Sequence, residues 1–170
     1  MAMNEIEGFL ASWDREAAST VKLLEALPAA KYDFRPDAEG RSLGELAWHL
    51  AEGDAYMSYG IEHGFSMDMK PPNIERPRTI GELAPGYDRI HREAVARVRA
   101  LKPEDLDRSI PFFRGTMTIR DILWNATLAH GIHHRGQLSL MCRLAGGTCP
   151  GLYGPNREEM AAMRAGASRV

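Results

Sequence analysis

TIRDILWNATLAHGIHHRGQLSLMCRLAGG, residues 118–147, is the stretch on which the fold turns. Apolar side chains recur through it at three- and four-residue steps, the period of a helix that turns one face inward. Thr118 and Asp121 are suited to cap its start, Gly146 and Gly147 to stop it, so the helix is expected to run to about Leu144. Its stripe reads Ile119, Leu123, Ala126, His130, Gln137, Met141 and Leu144, with His134 falling beside His130. Three of the six histidines of the chain, His130, His133 and His134, lie within five residues of one another there.

Three further segments carry the same period. The first runs from about Asn4 to Leu27, with Ile6, Phe9, Leu10, Trp13, Ala17, Thr20, Leu24 and Leu27 on one side; Asn4 and Glu7 cap it and Pro28 ends it. Ser42 and Glu45 form an S-x-x-E capping box for the second, whose face is Leu46, His49, Leu50, Gly53, Tyr56, Met57 and Ile61, ending near Gly64. The third follows Thr79 and Glu82 with Leu83, Tyr87, Ile90, Ala94, Val98 and Leu101, and Pro103 closes it. Pro85 lacks an N–H, so a kink or a late helix start is expected there. The Pro-rich stretch FSMDMKPPNIERPR and the segment from Glu104 to Gly115 read as loops, the latter with a short extended piece in FFRGTMT. REEMAAMRAG reads as a short terminal helix. With no convincing strand and four amphipathic helices, the chain is an all-α four-helix bundle, expected to form one domain over residues 1–170, with 151–170 as a tail or short helix.

Bulk composition bounds the function. With 170 residues, 44% of them hydrophobic and 26% charged, the chain is long enough to bury a core. A net charge of −2 gives no electrostatic attraction for nucleic acid. No apolar run approaches a membrane span, and MAMNEIEGFL lacks the basic flank and long apolar core of a signal peptide. Cys142 and Cys149 form neither a CxxC pair nor a disulfide framework. The expectation is a reduced, cytoplasmic protein, and the NAT sequon at Asn125 is a chance match inside a helix.

Residues four apart on a helix are rotated by about 40° and rise about 6 Å. His130 and His134 therefore have the spacing with which HExxH helices present two imidazoles to one metal ion. His133 is rotated to the other side of His130, still near the core edge. His49, on the inner face of the second helix, is a candidate third ligand, because bundle cores build metal sites from facing helices. Neutral imidazoles suit Zn, Ni, Cu or Fe(II), and three protein ligands leave a position open, the mark of a catalytic site. The alternative is three separately hydrogen-bonded packing histidines. His63 and His91 read as surface residues; Met57, Met141 and Cys142 read as core or interface.

The neighbours have two readings each. Arg135 reads first as a salt-bridge or interface residue, second as a binder of an acidic substrate. Gln137 reads as a ligand-orienting amide or as a buried amide satisfying backbone. Glu52 reads first as a solvated helix-surface residue, second as an acceptor for the His49 ring or a general base. Tyr56 reads as a packed aromatic before a hydroxyl at a pocket rim.

RSLGELAWHLAE around His49, HGIHHRGQLSLMCRLAG around His134 and the trailing PGLYGPNREE together resemble the DinB-like family of small damage-inducible-type metalloproteins, over nearly the whole chain. The resemblance implies an up-down-down-up four-helix bundle, commonly dimeric, with metal on His49, His130 and His134 and with His133 not a ligand. The wider superfamily includes thiol S-transferases that use bacillithiol or mycothiol and a thiol-dependent maleylpyruvate isomerase. It implies a divalent-metal enzyme that activates a thiol or water against a small electrophile, with a low-molecular-weight thiol as possible cosubstrate. The competing expectation is a non-catalytic, stress-linked metal-binding homodimer.

Overall fold

The computed structural model describes residues 4–167; the ends of the expected domain, residues 1–3 and 168–170, lie outside them. Helix α1 spans Glu5–Glu25, α2 Leu43–His63 and α3 Leu83–Arg99. The hairpin strands β1 (Ser109–Phe112) and β2 (Gly115–Thr118) then pair antiparallel. The last bundle helix, α4, covers residues 119–144, and α5 spans Arg157–Ala167.

The capping signals act as written. Asn4 Oδ1 accepts from the Glu7 N–H at 2.9 Å. In the Ser42 box the hydroxyl accepts from the Glu45 N–H at 3.2 Å and Glu45 Oε2 from the Ser42 N–H at 2.7 Å, so two orphan donors of α2 are satisfied. Gly64 ends α2 with φ 85°, a conformation that costs glycine nothing. Pro85 resolves as a late start: a 3₁₀ turn, Ile80–Glu82, leads into α3, so the proline falls within the first helical turn, where no N–H is needed.

Cross-helix contacts give the directions. Trp48 packs at Gly86, Asp54 bonds His91 and Ser58 bonds Arg97, so α2 and α3 run parallel. Asp14 meets His91 whereas Thr20 meets Tyr87, so α1 opposes α3. Glu5 pairs with Arg120, Phe9 with Trp124, Glu16 with Arg135 and Ala26 with Cys142, so α1 and α4 are parallel. The bundle is up-down-down-up, and the connection over residues 64–82 crosses its length to bring α3 parallel to α2.

Two corrections concern α4 and its approach. The segment before it is a true two-stranded hairpin rather than a loop with an extended piece. Between an α turn, Ile119–Asp121, and an α-helix, His130–Leu144, α4 is π-helical over Ile122–Ala129. The Thr127 hydroxyl bonds the Ile122 carbonyl, five residues back. A π turn holds more residues than an α turn, so the α-periodic stripe does not carry across it. Ile122, Thr127, Arg135, Leu138 and Cys142 are buried, while Gln137 and Leu144 are exposed.

The core divides into two apolar clusters. At one end lie Phe9, Leu10, Trp13, Ile61, Ala94, Val98, Ile119 and Leu123. The other holds Leu23, Leu24, Leu50, Ala51, Leu83, Ile90, Leu138 and Cys142. On all four helices the change occurs at a polar waist containing Asp54, His91, Thr127 and Arg135, all buried. The candidate site lies on the outside of this waist.

Candidate metal centre

The His130–His134 pair lies wholly inside the α-helical part of α4, so its four-residue spacing is preserved despite the π segment before it. α2 brings His49 across from an antiparallel course, with ring centroids 5.5 Å from His130 and 4.7 Å from His134. One nitrogen from each of His49, His130 and His134 lies within 4.8 Å of the other two. The Nε2 atoms of His130 and His134 are 3.0 Å apart. Ligand atoms of a tetrahedral zinc ion with bonds of about 2.05 Å stand about 3.3 Å apart, so the donor set fits a divalent ion with small adjustments.

All three rings are half-buried rather than enclosed in the dry core, a change from the inward stripe expected for His130 and His134. Burial, then the neighbouring His134 and His49 rings, pulls His130 down to about 4. His134 is lowered as well, by burial first, with the Gln137 bond opposing. Both rings are therefore neutral near pH 7, the form that ligates metal.

Two of the expected neighbours orient these rings. Glu52 Oε2 lies 3.2 Å from His49 Nδ1. A carboxylate only accepts, so His49 carries its proton on Nδ1 and offers Nε2. Burial raises the Glu52 carboxyl, but its bonds to His49 and Arg76 outweigh that and hold it below the usual range. The first expectation for Glu52, a solvated helix-surface residue, is corrected: it is half-buried and accepts from the His49 ring. Gln137 Oε1 sits 2.7 Å from His134 Nδ1 and fixes that ring in the same tautomer; the amide is exposed, not buried. Ring-orienting partners of this kind accompany metal-bound histidines generally.

The other candidates go elsewhere. Arg135 is 1% exposed and turned toward α1, pairing with Glu16 there and with the Tyr153 hydroxyl of the segment after α4, as its salt-bridge reading expects. His133 is exposed, its ring stacked edge-on against His134. Tyr56 is half-buried at the rim of a cavity beside the histidines. His91 is a correction: it is 5% exposed and lies between Asp54 (2.8 Å) and Asp14 (3.1 Å). Its charged neighbours Arg92 and Glu93 say nothing about its own direction, since adjacent helical residues differ by about 100°. Its position four after Tyr87 and three before Ala94 is the signal that identifies the buried face.

The cavity, about 480 Å³, opens from His49 and His130. Arg41, Met57, Phe112 and Phe113 also line it, and sequence reasoning missed three of these, having read Met57 only as core. Nothing local marks Arg41, which precedes the Ser42 cap, or the hairpin phenylalanines as neighbours of His130. A cleft of about 510 Å³ near Ser58 and Leu101 holds no ligating cluster among the described residues.

Comparison with known proteins bears on the family and the fold. The model of the DinB family matches residues 2–168. The Bacillus subtilis (strain 168) protein YrdA is 30% identical over 159 residues, covering 92% of each chain. A DinB-like protein from Bacillus cereus superposes with a TM-score of 0.73 at 30% identity, over 86% of this chain and 97% of its own. A second DinB-like structure, from Bacillus subtilis, gives 0.69 at 25% identity, over 85% and 97%.

Proposed function

Because the chain belongs to the DinB family, we propose that it is a divalent-metal-dependent enzyme, with His49, His130 and His134 holding the ion and an open position facing the cavity. The observation that carries this reading is the convergence of three imidazole nitrogens within 4.8 Å beside a 480 Å³ cavity. Zinc and nickel both suit three imidazoles. An ion bound there supplies Lewis acidity, making a thiol or water in the open position a stronger acid and hence a nucleophile at neutral pH.

The residues of the chain do the rest. Glu52 and Gln137 hold two imidazoles in the tautomer that offers Nε2. Arg76 shares the Glu52 carboxylate, keeping it ionised and accepting. Met57, Phe112 and Phe113 wall the cavity with apolar surface, which keeps water away from a bound electrophile. Thiol S-transfer to a small electrophile is the reaction class favoured, with hydrolysis or isomerisation next. The protein also acts as a homodimer on this reading: Leu140 and Leu144, one turn apart on α4, are each more than half exposed, apolar contacts suited to a second copy.

The test starts with tag-free protein. Bound metal near one equivalent in wild type, and much less in His49→Ala and His134→Ala, supports the site; equal metal in all three removes it. A panel of low-molecular-weight thiols with a chromogenic electrophile follows. Turnover requiring both metal and thiol supports the enzyme. Its absence across the panel leaves a non-catalytic metal-binding dimer, and no helix among the described residues is long and apolar enough to cross a membrane.

A further inference from the structure

We infer that the cavity beside the three histidines selects a small amphipathic carboxylate, which Arg41 receives while the apolar body of the ligand lies along Met57, Phe112 and Phe113. This deepens the reading above, resting on it for what the histidine end of the cavity binds, but Arg41 and the aromatic wall are there with or without an ion.

Arg41 lines the cavity together with His49 and His130, and its charge is felt at both His130 and His134. Its guanidinium donates no hydrogen bond to, and forms no ion pair with, any described residue. Nearby arginines behave otherwise. Arg35 pairs with Glu45, and Arg76 with both Glu45 and Glu52. A solvated surface guanidinium is unremarkable alone; one on the wall of a cavity that two of the three clustered imidazoles also line is not. Imidazole ligands bring no negative charge to offset an ion, and Glu52, the acidic residue among those lining the cavity, is already shared by His49 and Arg76. The cavity is therefore short of negative charge, and a planar carboxylate matches the guanidinium fork.

The hairpin supplies the other half. Its turn places Phe113 first of the two residues between Phe112 and Gly115, with φ 48°. A bulky residue is strained in that left-handed conformation, where glycine is at ease. Phe113 is nevertheless 65% exposed, so burial does not compensate. Its ring stands edge-on to Phe112, centroids 4.7 Å apart, and Phe112 packs on Phe65 in the same way. An exposed aromatic kept at a strained position over a cavity mouth is placed for contact with a ligand.

Phenylbutyrate, its neutral amide and phenylethanol are suitable probes, titrated into zinc-loaded and metal-free protein by calorimetry, with NMR shifts at Tyr56 and His49 locating the site. Wild type is expected to bind the carboxylate about tenfold more tightly than the amide, in both metal states. Arg41→Gln should bring that ratio close to one, Arg41→Lys should keep part of it, and neither should alter metal content. Phe113→Gly should weaken acid, amide and alcohol alike by several-fold and leave the ratio intact. A wild-type ratio near one, no binding at the cavity, or a ratio unchanged in Arg41→Gln overturns the inference. A preference seen only with zinc and surviving Arg41→Gln assigns the carboxylate to the metal: the inference fails and the metal reading stands. An Arg41-dependent preference in protein that holds no metal supports the inference while the metal reading fails.

Discussion

Replacing Glu52 by alanine tests whether the His49 ring is oriented by its partner or merely near it. The bond is 3.2 Å long, and the Glu52 and His49 side chains are 23% and 19% exposed. Loss of such a partner lowers metal affinity by about 10- to 100-fold in well-studied sites. Partial exposure lets water replace the carboxylate, which argues for the lower end, about tenfold, or about 1.4 kcal/mol. Glu52→Gln retains an accepting oxygen without the charge and should fall between. Competition against a chromogenic chelator for zinc measures the difference directly. Glu52 also pairs with Arg76 at 3.3 Å, an exposed contact of about 0–1 kcal/mol, so the apo-protein melting temperature should change little. If Glu52→Ala binds zinc as tightly as wild type while His49→Ala loses it, the carboxylate does not orient the ring. If His49→Ala also keeps full affinity, the three nitrogens do not share an ion.

Other consequences follow from the polar waist and the close contacts. Burial lowers the His91 pKa, but the bonds to Asp54 and Asp14 outweigh it and raise the imidazole above its ordinary value. Its contribution to stability is then full below about pH 6.5 and is lost as pH rises through the raised value. Urea melts of metal-free wild type at rising pH should show that decline, and His91→Gln should flatten it. Arg135→Ala leaves Glu16 without its buried partner; because Glu16 is 23% exposed and can rehydrate, the cost is expected at about 2–3 kcal/mol, below that of a fully buried pair. It should lower the melting temperature by about 5–10 °C by calorimetry and leave bound metal unchanged, since the guanidinium faces α1. Gly44→Ala would set a methyl 2.3 Å from the Tyr32 ring, whose hydroxyl is held by the Pro77 carbonyl. A loss of about 1–3 kcal/mol is expected in chemical denaturation, and an unchanged midpoint would mean that the ring moves freely.

Helices, caps and the His130–His134 pair were legible because they depend on residues a few positions apart: Asn4 with Glu7, Ser42 with Glu45, one imidazole a turn beyond another. A hydrogen-bonded turn and a shared helix face are local properties, and their period survives in the chain. His49 was legible as a candidate by its place on an inner face. What reaches across the bundle was not. The π segment Ile122–Ala129 shifted the buried face of α4 onto Arg135 and Leu138, which an α period cannot anticipate. His91 went inward to two aspartates from other helices, and Glu52 turned to His49 rather than to solvent. Arg41 and the hairpin phenylalanines, about seventy residues apart in the chain, line the same cavity. Backbone geometry couples near neighbours, so the chain alone dictated which helices form and which two imidazoles stand a turn apart. Whether His49 meets that pair, and which charge and which aromatic wall join it, depended on how four helices pack, and no period along one helix carries that information.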